Sequence, residues 1–467
     1  MNKKSTTERE YRVRPDSGWA GAWKISAGIG AVGFAAAAFG YVQDPTRFAF
    51  SYLFAFFLFL TMGLGALFFV LIQYLTKAGW SVTVRRTAEF FMKGLWIFAI
   101  LCLPIIPTMG RLFPWLEESH ASESQAPINE SVTKESGAQP VAADLAGRAK
   151  RPAAFREEGN EALDKALEQR LERQKELAEE RTLEGKKPYL NKTFFLIRLV
   201  GYLAVWIFLS YKLFDWSTDQ DKSKRVANTA AAQRFAPAGI MLFAVTITFA
   251  AFDWLMSLQP TWYSTIFGVY VFAGCVVVNM ALLILVTWML KRSGAVGNAI
   301  NVEHFHDMGK LLFGWLVFWA YISFAQFFLI WYANIPEELV FFHRRWTDGG
   351  GTWKNISLAL VIFHFAIPFW LLMSRNVKRR VEILITGAVT LVVMHVVEIY
   401  WLVMPNYPGN DVDPAHQFVF APHWLDLACL VGVGGVYFAV VLHTLAGYPL
   451  IPIGDPRLGR ALKFENA

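Results

Sequence analysis

Windows of about 20 residues almost free of charge recur about ten times along this chain, at roughly 23–42, 50–75, 90–110, 193–211, 237–258, 263–290, 311–333, 356–374, 381–404 and 424–446. Each is long enough for a helix to cross the hydrocarbon core of a bilayer, where no water is available to satisfy exposed backbone groups. Only helices and closed barrels survive there, and these runs are too long and too evenly apolar for barrel strands. The expected fold is an all-α integral membrane protein with about ten transmembrane helices. Composition agrees, since 55% of the 467 residues are hydrophobic and only 17% are charged, which excludes a soluble domain.

The net charge of +7 is spread over alternate loops and is not pooled as a nucleic-acid surface would be. Lys3, Lys4, Arg9, Arg12 and Arg14 precede the first span, and Lys77, Arg85 and Arg86 follow the second. Lys212, Lys222, Lys224, Arg225 and Arg234 follow the fourth, and Lys291 and Arg292 follow the sixth. Arg375, Lys378, Arg379 and Arg380 follow the eighth, and Arg457, Arg460 and Lys463 lie in the tail. The positive-inside rule then places both termini in the cytoplasm. Residues 1–22 read as a cytoplasmic segment rather than a cleaved signal, 23–110 as spans one to three, 192–446 as spans four to ten, and 447–467 as a cytoplasmic tail. Between them, 111–191 forms an extracytoplasmic insertion. Its first part is rich in Ser, Glu, Ala and Pro and reads as disordered, and "REEGNEALDKALEQRLERQKELAEERTLEG" at 156–185 reads as an exposed, charged helix. The insertion is either a tolerated loop or a docking arm.

Cys102, Cys275 and Cys429 sit in apolar spans without any iron–sulfur or haem-attachment spacing. No covalently bound cofactor and no metal site is expected. His364, His395 and His443 lie within spans and could ligate a noncovalent haem, but a hydrogen-bonded interior role is the stronger reading.

A weak internal repeat orders the spans. "FDWLMSLQP" ends the fifth with Asp253 seven residues before Pro260, and "VEIYWLVMP" ends the ninth with Glu398 seven residues before Pro405. Spans two to five and six to nine would then be two parallel-repeat four-helix bundles, with the first and last helices peripheral. Intramembrane ionisable groups are costly, so they are expected to face the interior and act there. Asp253, Glu398, His395 one turn from Glu398, and mid-span His364 meet that description. A further cluster, Glu303, His304, His306, Asp307 and Lys310, opens the seventh span; four of these share one helix face at i, i+3, i+4 and i+7. The cluster is either a charged helix terminus or the uptake end of a proton path whose stripe leads inward. All nine residues are proton-path candidates. No catalytic residue and no quinone-binding residue is singled out.

The stretches "FDWLMSLQPTWYSTIFGVY" and "HDMGKLLFGWLVFWAYISFAQFFLIWYANIPEE" resemble the second (ActF-type) of the two NrfD-like, polysulfide-reductase-type membrane subunits of bacterial alternative complex III. The similarity runs across nearly all the spans. It implies a cofactor-free subunit of a respiratory quinol:electron-acceptor oxidoreductase, not catalytic alone, that interacts with quinone (menaquinone or ubiquinone) or conducts protons. It also implies partners: the paralogous NrfD-like subunit, a multihaem cytochrome c and an iron–sulfur subunit, which carry the haems and clusters. The competing class is a multi-pass secondary transporter of a small solute, which would be expected to show paired broken helices near the midplane.

Overall fold

The computed structural model describes residues 11–116, 170, 173, 177, 179–346, 352–408 and 420–465. Among the described residues there is no strand, and nine helices are long and apolar enough to cross a membrane, or ten if one bent pair counts as a span. The protein is an all-α, multi-pass membrane protein. Its long helices are α1 (Gly18–Gln43), α2 (Pro45–Leu75), α3 (Val82–Leu101), α5 (Lys192–Ser223), α6 (Val226–Trp254), α7 (Phe267–Arg292), α8 (Val302–Ala333), α10 (Thr352–Met373), α11 (Val381–Val403) and α12 (Trp424–Gly447). Short α4 (Ile105–Leu112) is bent 75° from α3, and short α9 (Pro336–Trp346) follows α8. Pro104 and Pro107 account for the bend, since each removes a helical N–H and crowds the preceding turn.

Helices α2 and α7 open the two expected repeats and run through the centre. α2 is buried along nearly its whole length, from Arg47 to Tyr74, and is capped by Asp44, whose side chain accepts from the Arg47 N–H at 2.8 Å with Pro45 pre-set in the first turn. At Gly65 it touches α7 so closely that a Cβ would lie 2.0 Å from the Cys275 carbonyl oxygen. α3 and α6 pack on α2, α8 and α11 pack on α7, and α10 packs on α11. α1 and α12 pair with each other at the periphery. Gly33 of α1 lies against the backbone of Gly432 in α12, where a Cβ would come within 2.3 Å of the Gly432 nitrogen, while Ile25, Ile29 and Val32 face outward.

Several helix ends run beyond the expected spans. The third span was expected over 90–110 and begins at Val82, the seventh was expected at 311 and begins at Val302, and the fourth runs on from 211 to Ser223. In each case the added turns carry charges that a hydropathy window rejects; some of them are neutralised inside the protein, whereas others, such as Lys222 and Lys310, are exposed. Arg85 and Arg86, expected as loop cations, are wholly buried: Arg85 pairs with Glu89 and Asp455, both at 2.9 Å, and Arg86 with Glu89 at 3.1 Å and Asp221 at 2.6 Å. Lys378 is likewise buried, donating to the carbonyls of Leu372 at 2.7 Å and Met373 at 2.9 Å at the end of α10. These three cations stand inside the protein, so they do not belong to a solvated, orientation-setting loop.

The expected tail is not loose. Leu450 and Ile451 are buried, the Leu450 N–H donates to Tyr11 O at 2.8 Å, Gly454 donates to Asp221 at 3.0 Å, and Asn301 donates to Phe464 O at 2.8 Å. Burial alone would push the Asp455 carboxyl up, but Arg85 and Arg457 outweigh it and hold the group at about 2, below its ordinary 3.8. A carboxyl depressed in the folded state stabilises above its ordinary value and loses that contribution as pH falls through the depressed one. The purified protein is therefore expected to lose roughly 2 kcal/mol between about pH 4 and pH 2, a loss absent from Asp455→Asn, as read by thermal unfolding in detergent.

Residues 114–195 cluster as a unit of their own. Within it Trp115 packs on Phe195, with ring centroids 5.8 Å apart, and 179–186 are helical. The described part of the expected charged helix is mostly exposed, as at Leu177, with Thr182 and Leu183 partly buried. The expected disordered part lies outside the described residues.

Candidate functional site

Three of the expected interior residues meet in one buried centre. His395 and Glu398 are one turn apart on α11, and the His395 Nδ1 lies 2.9 Å from Glu398 Oε2. His364 reaches the same carboxylate from α10, its Nδ1 3.8 Å from Oε2. It does so because residues 360–366 of α10 form a π-helical turn. Pro368, four residues after His364, has no N–H to give the His364 carbonyl, and the wider turn that results is a recurrent feature of functional sites. Trp319 of α8 donates from Nε1 to Glu398 Oε1 at 2.6 Å and stacks on the His364 ring at a centroid distance of 4.1 Å. Gly274 of α7 leaves the space these groups need, since a Cβ there would be 3.3 Å from both Glu398 and His395. All of Glu398, His395 and His364 are buried.

The hydrogen bonds define a shared proton. The Thr61 hydroxyl lies 2.6 Å from Leu58 O and 2.9 Å from the second His395 nitrogen, Nε2, and donates to one of them. The 2.9 Å contact between Nδ1 and Oε2 holds a proton, on the imidazole or on the carboxyl group. Either form places a transferable proton between two groups in a low-dielectric setting. Both nitrogens of His395 are thus engaged by protein atoms, which leaves neither for a haem iron. His364, by contrast, has no hydrogen-bond partner on either ring nitrogen. His443 lies elsewhere, exposed, with its ring against Trp23 at 5.1 Å. Among the described residues no group of three or more His, Cys, Asp or Glu is arranged to hold a metal ion.

Beside the centre lies an aromatic cavity of about 250 Å³, walled by Tyr270, Trp319, Phe341, Phe342, Trp346 and Trp401. Trp319 is common to the cavity and to Glu398. At its far side Gln326, whose side-chain oxygen is buried and accepts nothing, also lines a second, more open cavity edged by Ser264, Thr265 and Glu338.

Asp253, the repeat counterpart of Glu398, has a different neighbourhood. Arg198 of α5 grips it with two bonds, Nε at 2.7 Å and an amino group at 2.9 Å, and the Tyr202 hydroxyl donates at 2.7 Å. A bidentate arginine neutralises a carboxylate, so Asp253 is locked where Glu398 is poised.

The cluster opening α8 is not joined to this centre. His306 stands 13 residues before Trp319 on the same helix, about 20 Å away at 1.5 Å per residue. Glu303 pairs with Arg379, Asp307 pairs with Lys310, and His304 forms a reciprocal cap with Asn301 beneath the Phe464 ring. His306 is buried in the same turn. The stripe does not lead inward as expected: its continuation, Gly314, Val317 and Tyr321, is exposed, whereas the inner face is Leu312, Leu316 and Trp319. The geometry is that of a capped, ion-paired helix terminus.

Trp319, Tyr270, Thr61, Arg198 and Tyr202 were not among the expected residues. Arg198 had a signal, a lone cation within an apolar span. The aromatic and hydroxyl residues had none, being ordinary in membrane helices. What the fold and site define is a multi-pass helical membrane protein with a buried carboxylate–imidazole centre. Comparison of the chain with protein-family models and with curated proteins finds no match to either.

Proposed function

We propose that this chain is the cofactor-free membrane subunit of a respiratory quinol oxidoreductase of the alternative complex III type, and that its Glu398–His395–His364 centre handles protons released on quinol oxidation. The observation that carries the reading is the shared proton between His395 Nδ1 and Glu398 Oε2, buried beside an aromatic cavity wide enough for one ring. A quinol supplies two electrons and two protons when it is oxidised. The two electrons would leave to the haem- and iron–sulfur-carrying partner subunits; in this chain Tyr270 and Trp319 would line one side of the ring, and the Glu398–His395 pair would take up a proton. His364, with both nitrogens unbonded, provides a second acceptor within reach of the same carboxylate. Asp253 and the α8 cluster serve the scaffold.

Extraction in a mild detergent tests the reading. The expected result is co-purification with haem- and iron–sulfur-containing subunits and quinol-dependent reduction of an electron acceptor by the assembly. A chain that purifies alone and accumulates a solute in proteoliposomes would be a transporter instead.

A further inference from the structure

Gln326 stands on the inward stripe of α8, seven residues after Trp319, and is only 6% exposed. Seven residues are two helical turns, so the two side chains share one face about 10 Å apart along the axis. Both line the aromatic cavity, as does Ser323 between them. Trp319 ends that wall at the Glu398 centre, through its 2.6 Å bond from Nε1. Gln326 ends it at the second cavity, and among the described residues it alone lines both.

Other polar groups of the wall have their hydrogens committed to the protein. Trp319 donates to Glu398, Trp401 to Ser357 Oγ at 2.9 Å, Ser357 to Trp353 O at 3.0 Å and Ser323 to Trp319 O at 2.7 Å. The Gln326 side-chain oxygen is buried and accepts nothing. A buried amide oxygen without a donor loses its hydration and gains nothing in return, whereas a leucine of similar size would pack there without that cost. Stability therefore supplies no reason for an amide at this position, and a ligand that reaches it does. An amide carries both a donor and an acceptor, so it can give a hydrogen bond to a ring carbonyl and take one from a ring hydroxyl. It does not titrate, which separates its chemistry from that of the Glu398 end.

We propose that Gln326 is the specificity-determining residue of the aromatic cavity: its amide holds the ring oxygen farther from Glu398, in the oxidised and the reduced ring alike. The inference rests on the cavity accepting a quinone ring, as proposed above, and adds the residue that selects a ring with oxygens on opposite sides. The test is photolabelling of the full-length protein, purified with the subunits that accompany it, by an azido-1,4-naphthoquinone, with the labelled peptides identified by mass spectrometry. In the wild type the label is expected on cavity residues of α8 and α9, and 1,4-naphthoquinone is expected to displace it about tenfold or more better than naphthalene, which has the rings without the oxygens. In Gln326→Leu that preference is expected to fall about tenfold, because the quinone loses a hydrogen bond from a buried partner and naphthalene loses none. A purely structural role for Gln326 would weaken both competitors in parallel and leave the preference unchanged, and that result overturns the proposal. A wild type with no label in the cavity, or one from which the two competitors displace it equally, overturns it without any variant, which covers a Gln326→Leu that does not fold. A preference that depends on Gln326 in an assembly without quinol oxidation would keep this inference and remove the proposed function; quinol oxidation with a preference indifferent to Gln326 would do the reverse.

Discussion

Glu398→Gln, in the assembled complex, is expected to lower quinol-driven turnover about 100-fold or more while leaving assembly intact, because a positioned proton acceptor contributes at least that much and Gln cannot be one. The amide keeps the shape of the side chain and still accepts from Trp319 Nε1, so packing around Gly274 is preserved. Stopped-flow oxidation of a soluble quinol, with proton release followed in parallel, is the measurement. The repeat-related change Asp253→Asn is expected to behave in the opposite sense. It strands Arg198, so recovery of folded protein falls, but the material that folds turns over as the wild type does. Wild-type turnover in Glu398→Gln would remove the centre from proton handling.

Glu89→Gln is expected to cost about 3–5 kcal/mol, enough to deplete folded protein from the membrane. Glu89 lies between two guanidiniums that no water reaches, bonded to Arg85 at 2.9 Å and Arg86 at 3.1 Å, and it accepts from Ser217 at 2.8 Å. Its charge is what makes two adjacent buried cations tolerable, with Asp221 and Asp455 completing the balance. Thermal unfolding in detergent would read the loss. A melting temperature unchanged from wild type would mean that the network tolerates an uncompensated cation at its core.

The helices were legible in the sequence because a bilayer-spanning run leaves few alternatives, and the misplaced ends fell where charged residues continue the helices, some of them neutralised within the protein. A hydropathy window cannot tell Arg86, tied to Asp221 on a helix more than a hundred residues away, from a cation bathed in water. The same blindness applies to the acids. Asp253 and Glu398 each stand seven residues before a proline, and they differ in the His395 one turn before Glu398 and in what the neighbouring helix presents: Arg198 in one repeat, His364 in the other. Glu398 and His395 could be paired from helical spacing alone. His364 could not, because its inward aim depends on a single wide turn, and neither could Trp319, whose contribution depends on how α8 is rotated about its axis. The α8 cluster shows the reverse case. Its spacing suggested a path, but the rotation of the helix turns the continuation of that stripe outward.

The glycine contact between α1 and α12 also sets an order of events during biosynthesis. α1 emerges from the ribosome early, yet the surface that fits it belongs to a helix that begins only at Trp424. At ordinary translation speeds of about 5–20 residues per second, it waits on the order of tens of seconds for that partner. Throughout that interval Gly30 and Gly33 face lipid or other helices, and the glycine seam that will lock them is not yet made.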